Sequence, residues 1–152
     1  MSEQLVFHHQ DGDLSFDIVA GLYHLSPSGG FSCSIACRGN DDHDYMGAPH
    51  FAALHVVTGG ALAVGQVLTI AARATADAIV EKRPLAHLYA GEHYSPWKTR
   101  LTIEAVVGHS LRVHGTFITD DPNYYDDRAK VTNVEFLAGL KVVPREEVWD
   151  PL

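Results

Sequence analysis

No stretch of this chain holds the roughly 18 consecutive apolar residues that a membrane-crossing helix needs, and Met1-Ser2-Glu3-Gln4 has neither the basic nor the apolar region of an export signal. The sequence therefore predicts a cytoplasmic protein without a membrane partner. Cysteine is scarce. Cys33 and Cys37 are the only two, and on a strand rising about 3.3 Å per residue they would stand about 13 Å apart, too far for a mutual disulfide. A reducing compartment fits that usage. Basic residues are also few: 11 Lys and Arg face 19 Asp and Glu, a formal net charge of −8. Such a balance repels nucleic acid and favours cations or a basic protein surface.

Motifs that name a reaction are missing too. There is no Gly-x-Ser-x-Gly, no His-Glu-x-x-His, no phosphate loop and no dinucleotide fingerprint. Ile35-Ala36-Cys37-Arg38-Gly39 contains the Ala-Cys-Arg-Gly core of the caspase nucleophile signature. Ile stands where that signature has Gln, and the chain begins too close upstream to supply the partner histidine about 50 residues earlier. The ten histidines show neither the i, i+4 helical spacing nor the tight His-x-His spacing of a zinc site. These absences point away from an enzyme.

What is present is alternation. The 152 residues suit a single domain spanning 1–152, and several segments carry the period of two that marks half-buried strands. Leu5 to His9 and Leu14 to Val19 flank Asp11-Gly12, the turn chemistry of a hairpin. Phe31, Cys33, Ile35 and Cys37 alternate with small residues, which predicts both thiols in the core with the small residues outward. Leu101, Ile103, Ala105 and Val107 lead through Gly108-His109 into Leu111, Val113 and Phe117, a second hairpin. Val134, Phe136, Ala138, Leu140 and Val142 form another strand, ended by Pro144.

The middle is ambiguous because alanine suits either period. Gly65 and the β-branched run after it favour a strand over 66–73, with room for one short helix in the Ala-rich region. Pro84 makes Leu85 to Tyr89 an edge strand or a loop. The expected class is all-β, an antiparallel β-sandwich or barrel of about eight strands.

Two acidic, aromatic insertions interrupt the alternation, at Gly39 to Pro49 and Thr119 to Lys130. Tyrosines among aspartates suit contact with a basic protein, so the candidate partner-binding residues are Tyr45, Asp120, Asp121, Tyr124, Tyr125, Asp126 and Asp127. The same loops offer hard oxygen donors. A calcium site built from Asp41, Asp42, Asp44, Asp120 and Asp126 is the alternative, although neither loop has the Asp-x-Asp-x-Asp-Gly spacing of known calcium loops. The leading expectation is a non-enzymatic acidic protein engaging a basic partner, for example an immunity protein or inhibitor neutralising a bacterial toxin. Behind it stand a calcium-binding β-sandwich that recognises a ligand, and a barrel that binds or transforms a small molecule.

Overall fold

The computed structural model describes residues 3–123, 128 and 130–151. Among them ten strands make one sheet: β1 Gln4–His9, β2 Gly12–Leu25, β3 Gly30–Cys37, β4 His50–Val57, β5 Val67–Ile70, β6 Leu85–Tyr89, β7 His93–Tyr94, β8 Trp97–Val107, β9 Ser110–Thr119 and β10 Thr132–Val142. Their order is β5-β8-β9-β10-β1-β2-β3-β4-β6-β7, antiparallel apart from a two-residue parallel contact between β10 and β2. A short helix, α1 Ala76–Val80, lies in the alanine-rich middle, its first turn capped by the Thr75 hydroxyl. Among the described residues no helix is long and apolar enough to cross a membrane.

Strand alternation puts the large apolar residues on one face, and the sheet curls around them without closing into a barrel. Phe51 of β4 stacks on Phe117 of β9 with ring centroids 4.7 Å apart, although four strands lie between them in the sheet order. Phe136 joins at 5.4 Å. The result is the sandwich-like, all-β fold expected. Where β2 passes beyond the end of β1 to meet β10, a Cβ on Gly21 would come within 2.3 Å of the Gly139 carbonyl oxygen, so only glycine fits that crossing.

Several local expectations need correction. The arm expected over Leu14 to Val19 is longer: β2 runs unbroken from Gly12 to Leu25, bent by a bulge between Ile18 and Ala20. The strand over 66–73 is shorter, Val67–Ile70. Leu85 to Tyr89 is neither an edge nor a loop but pairs with β4 on one side and β7 on the other. In β8 a bulge between Ile103 and Ala105 shifts the alternation, so Leu101 and Ile103 are buried while Val107 is exposed.

The outer face of β3 is not open to solvent as expected. Ser32 and Ser34 are buried alongside Cys33, because the C-terminal segment folds back across β3, β4 and β6. Val148 and Trp149 pack there against Ala52, Leu54 and Leu85, and the Trp149 amide donates to the Ser34 hydroxyl at 3.1 Å. Both cysteines are free and buried in the main core. Burial pushes each thiol up to about 12, which leaves them as packing groups and not nucleophiles.

Candidate functional site

The strand directions bring four connections to one end of the sheet: the β1–β2 turn, the β3–β4 loop, the β6–β7 turn and the β9–β10 loop. Both acidic insertions are therefore neighbours. Tyr45 shows it directly, since burial and then the charges of Asp121 and Asp11 raise its hydroxyl above the ordinary tyrosine value. Tyr94 ties the third element in, donating its hydroxyl to the Pro122 carbonyl at 3.2 Å.

The β3–β4 insertion is built from helical turns: Asp41–Met46 forms two short 3-10 pieces kinked at His43 (φ −137°, ψ 46°), the first starting where the Asn40 side chain accepts from the Asp42 amide, and Asn40 also reaches the Ser15 carbonyl. Met46 is fully buried beneath it. The segment is seated against Gly91, where a Cβ would lie 2.1 Å from the Tyr45 carbonyl oxygen and where φ is +79°. Glycine is required twice over at that position.

Inside the β9–β10 loop the acids divide by role. Asp121, expected at the contact surface, is buried. Its Oδ1 accepts from His9 Nε2 and from the Asn123 amide, both at 2.8 Å, and its Oδ2 accepts from the Lys130 amide at 3.4 Å. It builds the loop from within, because a carboxylate taken out of water must be met by donors. Asp120 points outward but is met by Arg73, which approaches both its oxygens at 3.2 Å and lies 3.9 Å over the Trp97 ring. Tyr124, Tyr125, Asp126 and Asp127 lie outside the described residues.

Asp41, Asp42 and Asp44 are exposed and form no ion pair with any described residue. Asp41 and Asp42, with Asp17, Arg38, Asn40 and Gln4, line a groove of about 480 Å³ beside the 3-10 helix. Asp44 is not part of it. Of the proposed calcium ligands, Asp120 is committed to Arg73, Asp126 lies outside the described residues, and among the described residues no three His, Cys, Asp or Glu side chains converge as metal ligands would.

One cluster was missed by sequence reasoning. On the outer face, His8 bridges Asp13 at 3.0 Å and Glu135 at 2.8 Å, and His114 meets the second Glu135 oxygen at 3.1 Å. The His114 and His8 bonds hold the Glu135 carboxyl below its usual range, and the Asp13 and Glu135 bonds raise His8. With both oxygens engaged, Glu135 is a clamp between β1, β9 and β10 and not a free base. The His8 to Glu135 pair joins residues 127 apart in the chain, so no local pattern announces it.

The chain matches no protein-family model, no curated protein and no solved structure. Its functional reading is carried by its own geometry.

Proposed function

We propose that the chain is a non-enzymatic, acidic binding protein whose loop end engages a basic protein surface, as an inhibitor or a toxin-neutralising immunity protein of a bacterial cell would. The observation that carries this reading is the groove of Asp17, Asp41 and Asp42, in which Arg38 is the one basic residue among the described residues. It lies beside the tyrosine-bearing end where the acidic loops meet. A groove with three carboxylates and one guanidinium attracts a lysine or arginine side chain, and the low-dielectric wall under it sharpens that attraction.

The aromatic residues supply the other half of an interface. Tyr45 and Tyr94 are half-buried at the same end, so their rings are held in place before a partner arrives and lose little freedom on contact. The net charge of −8 would speed encounter with a basic partner and disfavour acidic ones. The test is surface plasmon resonance on an immobilised oligo-arginine peptide. The proposal expects binding that weakens with salt and falls about tenfold when Asp41→Lys and Asp42→Lys are combined, a loss of about 1.4 kcal/mol. Equal binding by the reversed variant would overturn it.

A further inference from the structure

At the opposite end of the sheet, on the outer face, the ends of β2, β3 and β4 and the returning C-terminal segment enclose a recess of about 180 Å³. Its lining includes His24, Ser26, Ser32, His55 and Arg145, and no carboxylate among the described residues. In a chain of net charge −8, a recess lined by one guanidinium, two imidazoles and two hydroxyls departs from the prevailing sign.

The backbone is bent to make it. The β3–β4 register runs from Phe31 opposite Val56 to Cys33 opposite Ala53, so Leu54 and His55 together oppose Ser32. His55 occupies the bulge with φ +57°, a left-handed conformation that disfavours any residue with a Cβ by about 1 kcal/mol. Glycine would sit there more easily. Strain of this kind, and bulges that re-aim a side chain, gather at functional sites. The bulge is pinned by the His55 amide, which donates to the Ser32 hydroxyl at 3.1 Å.

The donors are left over in the same place. His24 Nδ1 donates to the Val143 carbonyl at 3.1 Å, which fixes its ring as one wall of the recess and leaves the donors to His55, Arg145 and Ser32. The His55 ring has no hydrogen-bond partner among the described residues. Arg145 places one Nη on Asp150 at 2.9 Å and has no other side-chain bond among the described residues. His114 offers a contrast, since it too lies in a strand yet is satisfied by Glu135.

We propose that this recess, which His24 also lines, binds one small oxyanion, a tetrahedral phosphate or sulfate group or a carboxylate, held by Arg145 and His55 with the Ser32 hydroxyl. Planar guanidinium and imidazole donors suit such a group. The volume, about six waters at roughly 30 Å³ each, admits the group itself and not a nucleotide. Burial, then the charge of Arg145, lowers the His55 pKa from its ordinary value; Lys82 also opposes its protonation and Asp150 favours it. Protonation of His55 brings a further positive charge to the anion, so affinity for a probe of fixed charge increases as pH falls.

The experiment follows the His24 and His55 ring resonances by NMR during titration with sodium sulfate and, separately, sodium acetate, at ionic strength matched with chloride. Saturable shifts are expected at about pH 6 and weaker binding at about pH 8. Tighter sulfate binding would assign a tetrahedral anion, and tighter acetate binding a carboxylate. Arg145→Gln should weaken the preferred anion about tenfold, the equivalent of about 1.4 kcal/mol. His55→Gly should weaken it while the melting temperature holds or rises, which separates binding from folding. Shifts no larger than those from chloride, or unchanged affinity in both variants, would overturn the proposal.

Discussion

His9 donates its Nε2 proton to Asp121 at 2.8 Å while its Nδ1 accepts from the Asp11 amide at 3.2 Å, and the His9 and Asp121 side chains are both buried. That pair joins the β1–β2 turn to the β9–β10 loop and so sets where the loop end can present its outer acids. Replacing Asp121 with Ala strands the imidazole proton and two loop amides, and should cost about 3 kcal/mol in urea unfolding. Asp121→Asn keeps an acceptor for some of them and should cost less. A loss under about 0.5 kcal/mol for Asp121→Ala, the level of an ordinary surface change, would show that the loop does not depend on this carboxylate.

Acid should weaken the fold through His87. Burial, then the nearby His93, lowers its pKa from 6.5 to about 4, and its ring sits between those of His93 and Trp149. The folded value therefore lies below the unfolded one. Between those limits the unfolded chain binds the proton and the native chain does not, so stability falls as pH drops from about 6.5 to about 4, by up to about 3 kcal/mol. His8 works in the other direction. Its raised pKa adds stability below 6.5 that is lost as pH rises through its folded value, and Glu135, lowered, adds stability above 4.5 that is lost in acid. Both are more than a third exposed, so solvent screening leaves the buried His87 dominant. Urea melts across this range should show the slope in the wild type and a flatter curve in His87→Gln; an identical slope in the two would contradict the assignment.

Gly91 should be among the least replaceable residues at the loop end. Gly91→Ala forces a Cβ against the Tyr45 carbonyl at a φ of +79°, so the Asp41–Met46 helix must shift or the turn must open. A destabilisation of about 2 to 3 kcal/mol is expected, together with weaker binding to oligo-arginine. Gly59, with φ +74° but open space around it, should tolerate Ala at about 1 kcal/mol. Thermal unfolding of the two variants side by side checks the ranking.

Much of the sheet was legible because strands β3, β9 and β10 carry a clear period of two, with Phe31, Val113 and Phe136 all turned inward. Bulges were not legible. The one after Ile103 and the one at His55 change which face a residue takes, and neither is marked by glycine or proline at the shifted residue. The cover over Ser32 and Ser34 depends on a tail more than 100 residues away, a distance over which composition says nothing. At the site, the acidity of both loops could be read directly. That Asp121 serves the interior could not, because its partner His9 is 112 positions earlier.

The most direct test of the loop-end account is an amide NMR map of the protein titrated with the oligo-arginine peptide. The account predicts shifts concentrated at residues 15–17 and 38–47, which line and flank the groove, and at 91–95 and 119–123, reduced when Asp41→Lys and Asp42→Lys are combined. Shifts centred on the exposed acids Glu146 and Glu147 near the other end of the chain, or a map unaltered by the charge reversal, would contradict it.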